Sequence, residues 1–132
     1  MTTAPYRKQR IGNRNRRIIL QKREVVTGPF NEQIEVWRNE SEVWCRLEPL
    51  KGEERFAAQG ITDTARALIH IRFRPGINPA DHRFIEGTTE QQGDPYEDKP
   101  TSGSTMWNVV SVRNLDERDA YLTVDVAGAS VS

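Results

Sequence analysis

The side chains that could carry out catalysis in this 132-residue chain are few. His70 lies in an alternating apolar stretch, where we predict an exposed strand residue, and His82 follows Asp81 in a predicted turn. A histidine can act as a general base near neutral pH only when a reacting group is held beside it. The acids between Glu86 and Asp98 fall in a polar segment, where carboxylates are usually solvated. The sequence contains no Gly-rich phosphate loop, nucleophile elbow or zinc-protease motif, so we predict that the protein is not an enzyme and needs no cofactor.

Cys45 is the only cysteine in the chain, which excludes an intramolecular disulfide and a zinc site built on several cysteines. It lies in the predicted strand Val43–Glu48, where we expect a small buried hydrophobic residue. The two histidines lack a cluster of further ligands nearby, and we predict no metal site. No apolar run approaches the roughly 20 residues that a membrane helix needs, so no membrane partner is expected.

The three tryptophans, Trp37, Trp44 and Trp107, all fall in predicted strands. Aromatic residues fill the interior of small barrels, and we expect Trp44 and Trp107 to pack in the core. Trp37 lies at a strand end and is expected to be either a core residue or an anchor at an interface.

A nucleic-acid site is the sharper alternative for the aromatic residues, because single-strand-binding barrels carry aromatic and cationic side chains on one face. Arg72 and Arg74 supply cations on a predicted strand face that otherwise holds Leu68 and His70 rather than aromatics. We therefore treat Trp37, Arg72 and Arg74 as candidate interface residues and keep a nucleic-acid-binding small β-barrel as the alternative function.

The charge of the chain is balanced overall but unevenly distributed. Lys and Arg together number 19, as do Asp and Glu, yet residues 1–23 hold eight cations and no acid. A basic segment on an acidic body is suited to bind phosphate or an acidic partner surface. The alternative is that this basic segment has no binding role and is a solvated, disordered start of the chain. The candidate docking residues of this arm are Arg7, Lys8, Arg10, Arg14, Arg16 and Arg17.

The pattern of apolar residues predicts strands and almost no helix. Short alternating runs are separated by Gly, Pro and Asn turns, and no amphipathic helix is long enough to cover a sheet. We therefore predict an all-β protein, a small β-barrel or sandwich of six to seven antiparallel strands. The predicted domains are a basic arm over residues 1–15, one β-domain over 16–126 and a short tail over 127–132. The predicted strands are Arg16–Val26, Gln33–Arg38, Val43–Glu48, Thr64–Arg74, Arg83–Ile85, Trp107–Arg113 and Ala120–Val126.

Two connections are too long for tight hairpins. The connection after Pro49 joins two central strands and could hold a short helix from Glu53 to Gln59. The stretch from Gly87 to Ser104 is rich in Gly, Pro, Ser, Thr and acids, and reads as a loop without a core. Loops of this length in a compact domain are usually functional or disordered.

The order of several weak motifs resembles the head–tail joining proteins of tailed phages and gene transfer agents, also called head completion, stopper or head-closure proteins. The likeness begins at the RIILQKR run of residues 17–23 and resumes at Glu35-Val36-Trp37. It continues through Glu48-Pro49-Leu50, the KGEERFAAQ run of residues 51–59 and the IRFRPGI run of residues 71–77. It ends in the strand pair between Trp107 and Val126. The long 87–104 connection departs from the family pattern, which has a short turn there.

The resemblance implies a structural virion protein rather than an enzyme. It implies a small barrel that assembles into a six- or twelve-fold ring between the portal or adaptor ring and the tail terminator or tail tube proteins. Such a ring closes the DNA-filled capsid, retains the packaged double-stranded DNA and gives the tail its docking surface. The protein would be assembled into the particle in the cytoplasm of the bacterial host.

The resemblance also places the connection after Pro49 at the channel, where it would act as a gate. Lys51 and Arg55 would face DNA phosphates, while Glu53 and Glu54 would pair across subunits. The basic arm would reach the ring above or the DNA end. The implied gate residues are Lys51, Gly52, Glu53, Glu54, Arg55 and Phe56.

Overall fold

The computed structural model describes residues 16–50, 65–114 and 120–131, and all regular elements in these ranges are β-strands. Six of the strands form a closed antiparallel barrel in the order β1-β2-β3-β8-β7-β4, and β5 and β6 form a separate two-stranded sheet. The predicted all-β barrel is therefore confirmed. No helix in the described ranges is long and apolar enough to cross a membrane. The strands are β1 (Arg16–Thr27), β2 (Gln33–Pro49), β3 (Ala65–Arg72), β4 (His82–Glu86), β5 (Thr89–Gln92), β6 (Glu97–Pro100), β7 (Thr105–Arg113) and β8 (Tyr121–Ser130).

The core follows the alternation of apolar residues along the strands. Inward side chains of one strand are buried because the closed barrel leaves its interior without water, and their neighbours in sequence point outward. Ile18 and Leu20 face the interior from β1, and Leu122, Val124 and Val126 do so from β8, as the sequence predicts. The other core residues include Cys45, Ala67, Ile69, Ile71, Phe84, Trp107 and Val109.

The second strand is longer than the sequence indicates. The predicted strands Gln33–Arg38 and Val43–Glu48 form one strand, since β2 runs without interruption for 17 residues and includes the polar stretch Asn39-Glu40-Ser41. The β1–β2 ladder shifts register between Leu20 and Gln21, opposite this stretch. A β-bulge accommodates the extra residue and keeps the polar stretch inside one bent strand.

The predicted C-terminal tail is also wrong, because β8 continues to Ser130. Gly128 pairs with Trp107 across the ladder, and the indole ring occupies the space that a Cβ at Gly128 would need. The run Ala127–Ser130 carries little sequence signal because small residues have low strand propensity, yet the pairing with β7 stabilises it as a strand.

The segment from Gly87 to Ser104 is a hairpin rather than the predicted coreless loop. Its strands β5 and β6 pair with each other, and β6 contacts β2 through polar groups. The Glu97 carboxylate accepts a hydrogen bond from the N–H of Trp37 at 3.0 Å, and the buried Asp98 carboxylate accepts one from the N–H of Asn39 at 2.8 Å. β1 pairs with this part of β2 on one side, but β3 pairs with β2 only from Cys45 onward. The hairpin therefore supplies hydrogen-bond acceptors along the side of β2 that β3 leaves open.

Several chain segments enter or leave the barrel at the same end. The registers place the start of β1 beside Cys45, the start of β3 beside Gly128 and the start of β7 beside Ser130. The chain therefore enters at Arg16, leaves at Pro49, returns at Ala65 and finishes β8 at this end. We call it the arm end of the barrel. The β1–β2 turn lies at the opposite end.

Candidate functional site

Most of the predicted arm and gate lie outside the described residues. These are Arg7, Lys8, Arg10 and Arg14 of the arm and the gate residues 51–56. The structure does describe the strands on either side of the gate connection. Leu50 donates a backbone hydrogen bond of 2.9 Å to Arg66, which extends the β2–β3 pairing to the point where the described chain stops. Both ends of the connection are thus held at the arm end.

Arg16 and Arg17, the last two candidate arm residues, are the first residues of β1. Arg16 forms an ion pair with Glu86, and Arg17 forms one with Glu42 at 3.2 Å. Exposed ion pairs contribute at most about 1 kcal/mol to stability. Their effect here is to hold two of the cations against the barrel wall.

Trp44 lies on the outside of the barrel, so the prediction that it packs in the core is wrong. Its side chain is 52% exposed, whereas the adjacent Cys45 is fully buried. Neighbouring residues of a strand point to opposite faces, so both could not lie in the core. The sequence contained this signal, because Trp44 and Cys45 are consecutive in one strand. The other core prediction, Trp107, is confirmed: its ring is buried and its Nε1–H donates to Glu86 at 3.1 Å.

Trp44 belongs to a row of outward residues that crosses four adjacent strands. Arg17 pairs with Trp44 between β1 and β2, and Arg72 pairs with Tyr121 between β3 and β8. Cys45 pairs with Ile71 in the antiparallel β2–β3 ladder, so the next residues along it, Trp44 and Arg72, lie side by side. We call Arg17, Trp44, Arg72 and Tyr121 the Arg–aromatic row.

The Arg–aromatic row combines cations with aromatic rings. The guanidinium carbon of Arg17 lies 5.4 Å from the centroid of the Trp44 ring, within the range of a cation–π contact. The side chain of Arg72 is exposed and makes no hydrogen bond or ion pair within the described ranges. A groove of about 370 Å³ opens beside it and is lined by Arg72, Phe73, Ala120 and Tyr121.

The candidate interface set of Trp37, Arg72 and Arg74 is divided by the fold. Arg74 lies near the row, where its Nη1 donates to the Ser41 hydroxyl at 2.9 Å. Trp37 lies elsewhere, half-buried, with the Arg83 guanidinium carbon 4.4 Å from its ring centroid. The tryptophan next to Arg72 is therefore Trp44 rather than Trp37.

His70 is buried on this outward face, so its predicted exposure is wrong. Only 5% of the residue is exposed. Its Nδ1 lies 3.1 Å from the Thr123 hydroxyl and its Nε2 lies 3.0 Å from a Glu48 carboxylate oxygen, so the ring links three strands. Burial lowers the pKa of His70 below its ordinary value, although the Glu48 hydrogen bond acts in the opposite direction.

A second polar cluster lies beneath the β5–β6 hairpin. The fully buried Gln21 donates from Nε2 to the Asp98 carbonyl at 2.7 Å and accepts from Arg83 Nε at 2.7 Å. Burial lowers the pKa of Arg83, while the nearby Glu97 opposes that shift. The hydrogen bonds satisfy these buried groups, which indicates a structural cluster.

Two observations bear on the chemistry that the described residues can support. Cys45 is fully buried, as predicted, and this burial raises its pKa to about 11, so the thiol is protonated at neutral pH. The described ranges contain no group of three or more His, Cys, Asp or Glu side chains placed to hold a metal ion. The prominent feature of the described surface is the Arg–aromatic row.

The fold and this surface define a small closed β-barrel protein with a candidate binding face. The sequence model of the phage head completion protein family matches residues 10–127, and the chain belongs to that family. The protein is thus a structural component of the phage head.

A solved structure supports the fold independently. The chain is similar to the solution structure of protein SF1141 from Shigella flexneri 2a, with 17% sequence identity and a TM-score of 0.59. The similarity covers 89% of this chain and 95% of that one. No curated protein sequence matches the chain.

Proposed function

We propose that the protein forms a ring at the head–tail connector, where it closes the DNA-filled capsid and provides the docking surface for the tail. Membership of the phage head completion family supports a role at the phage head. The structural observation that carries the proposal is the arm end of the barrel. There the basic arm, the connection between β2 and β3 and the C-terminal strand all meet the barrel.

This arrangement would let one end of each barrel serve both the channel and the neighbouring ring. Lys51 and Arg55 would face the phosphates of the packaged double-stranded DNA, and Glu53 and Glu54 would pair with cations of adjacent subunits. The arm residues before Arg16 would attach to the portal or adaptor ring through their charge. The opposite end would remain for tail terminator or tail tube proteins.

A ring would hold the gate by packing between neighbouring subunits. A connection held by few buried contacts opens at low free-energy cost, whereas packing between six or twelve copies would hold it across the channel. Tail attachment or ejection could then displace it without unfolding the barrel. The protein would act within the particle at the head–tail interface, after assembly in the host cytoplasm.

The test is DNA retention in purified filled heads completed with protein in which residues Gly52–Gly60 are shortened. We expect a folded barrel and a completed ring that leaks DNA. The matched control is Val110→Ser, which changes an exposed side chain on β7 and keeps the connection at full length. Full retention by heads that carry the shortened protein would rule out this connection as the stopper.

One observation favours the second candidate, a nucleic-acid-binding barrel. The Arg–aromatic row brings Trp44, Arg17 and Arg72 to one face, as stacking of single-stranded bases requires. The test is titration of the free protein with single-stranded and duplex DNA over a range of salt concentrations. Tight, steeply salt-dependent binding by a monomer, lost in Trp44→Ser, would support this candidate.

A further inference from the structure

The turn between β1 and β2 presents an aromatic side chain to solvent on an ordered backbone. Phe30 is 88% exposed. Gly28 N–H donates to the Glu32 carbonyl at 2.7 Å, and Asn31 N–H donates to the Gly28 carbonyl at 3.0 Å. The N–H of Phe30 donates to the Glu32 carboxylate at 2.8 Å. An exposed aromatic residue on such a constrained turn is suited to anchor an interface, because little conformational entropy is lost on docking.

The turn lies at the tip of a ribbon that extends past the barrel wall. β4 pairs with β1 only as far as Lys22, and β3 pairs with β2 only from Cys45 onward. Residues 25–35 therefore pair with each other and with no other described strand. We call these residues the finger. They include two acids and no cation, and Val25 is exposed together with Phe30.

The Arg–aromatic row matches the finger in charge and in exposed apolar side chains. Arg72 is an exposed cation with no partner in the described ranges, and Phe73 and Tyr121 are among the residues that line the groove beside it. Trp44, on the other side of Arg72, offers a further exposed aromatic surface. Aromatic and arginine side chains dominate the binding energy of protein interfaces.

We infer that the finger of one copy docks on the Arg–aromatic row of the next copy. Phe30 occupies the groove against Phe73 and Tyr121, Glu32 lies opposite Arg72, and Val25 packs on Trp44. Because the finger and the row are different surfaces of one chain, the contact is heterologous and repeats around a ring. The inference rests on the proposed ring and identifies the surfaces that close it.

Charge distribution favours this partner over a nucleic acid. The acids Glu42 and Glu48 border the row, where they pair with Arg17 and Arg46 at 3.2 and 3.6 Å. These carboxylates would repel a continuous run of phosphates. Arg72, the cation of the row that has no partner among the described residues, instead matches Glu32, whose carboxylate lies next to Phe30.

The contact is tested with cysteines placed beside the anchors rather than on them. Protein carrying Pro29→Cys, next to Phe30, is mixed with protein carrying Ala120→Cys, in the groove. The mixture completes filled heads and is treated with a short bismaleimide. The native Cys45 does not interfere because it is fully buried. We expect a cross-linked dimer in the mixture but not with either variant alone. Pro29→Cys mixed with Gln91→Cys, an exposed site on β5, is the control and should give no dimer.

A second measurement is the association of subunits. Phe30→Ser should weaken the association by about 30-fold, as expected for loss of an interface anchor, while Val110→Ser should leave it unchanged.

Heads that retain DNA and accept tails without the cross-link would overturn the inferred contact and leave the proposed ring intact. If wild-type protein does not enter heads at all, the proposed function itself fails. Trp44→Ser protein that assembles normally but loses single-stranded DNA binding would assign the row to nucleic acid instead.

Discussion

The carboxylate of Asp98 accepts a hydrogen bond of 2.8 Å from the backbone N–H of Asn39, and this contact joins the β5–β6 hairpin to the barrel. Asp98 is buried, and its own backbone carbonyl accepts from the side chain of Gln21. The hairpin thus covers buried polar groups of the barrel wall.

Asp98→Ala should destabilise the protein by about 1–3 kcal/mol, because it removes the hydrogen bond between a buried carboxylate and the N–H of Asn39. The control is Glu90→Ala on the exposed face of the same hairpin, which should change stability by no more than about 0.5 kcal/mol. Chemical denaturation measures both. Equal effects of the two substitutions would contradict the role of Asp98 as the link.

The two tryptophans that were both predicted in the core should differ sharply on substitution. Trp107→Ala should cost about 3–5 kcal/mol, because it opens a cavity beside Gly128 and removes a hydrogen bond to Glu86. Trp44→Ser should cost no more than about 1 kcal/mol, because the ring is already half in water. The denaturation midpoints of the two variants measure these losses of stability. A large loss of stability in Trp44→Ser would place that ring in the core.

The burial of His70 predicts a dependence of stability on pH. The folded state lowers the pKa of His70 below its ordinary value of 6.5, so below that pH the unfolded chain binds more protons. The neutral imidazole of His70 contributes fully to stability at pH values above the pKa that His70 has in the unfolded chain. This contribution decreases as the pH falls below that pKa. We expect wild-type protein to lose stability between about pH 7 and pH 5, and His70→Gln to lose less.

Asp81→Asn is the control for this pH dependence. Arg23 holds the pKa of Asp81 below its ordinary value of 3.8, so this carboxyl titrates at lower pH. The variant should keep the wild-type slope over the range in which histidine titrates. An identical slope in His70→Gln and wild type would show that His70 does not carry the effect.

The raised pKa of Cys45 predicts an unreactive thiol. At about pH 8 a free cysteine in solution is partly ionised, but the Cys45 thiol is protonated because its pKa is about 11. Folded protein should react with a thiol reagent only through opening of the barrel, and unfolded protein should react at once. Gln91→Cys provides an exposed thiol in the same fold. Equal labelling rates for Cys45 and that thiol would contradict the buried assignment.

Neutralising the arm should weaken docking without unfolding the barrel. Changing Arg7, Lys8, Arg10 and Arg14 to Gln removes four cations that precede β1 and keeps Arg16 and Arg17, whose ion pairs lie on the barrel. We expect weaker binding to portal-side rings and an unchanged thermal melt. A lost cooperative melt would mean that the arm contributes to the folded domain.

The all-β class, the core faces of β1, β3 and β8, and the burial of Cys45 and Trp107 could be predicted from the sequence. Alternation of apolar and polar residues is local information, because each side chain of a strand points opposite to its neighbours whatever the strand pairs with. The family resemblance was equally accessible, since it rests on the order of motifs such as Glu48-Pro49-Leu50. The sequence of the 87–104 segment, in contrast, offered polar and turn residues whose partners lie on a distant strand.

The tertiary structure decided which outward residues share a surface and which polar residues are covered. His70 is buried between Glu48 and Thr123 of neighbouring strands. The β5–β6 hairpin is attached to the barrel because the carboxylates of β6 accept hydrogen bonds from N–H groups of β2. The row from Arg17 to Tyr121 exists only through the registers of three strand pairs, which join residues more than 100 positions apart. Register and closure depend on all strands together, and no local pattern contains them.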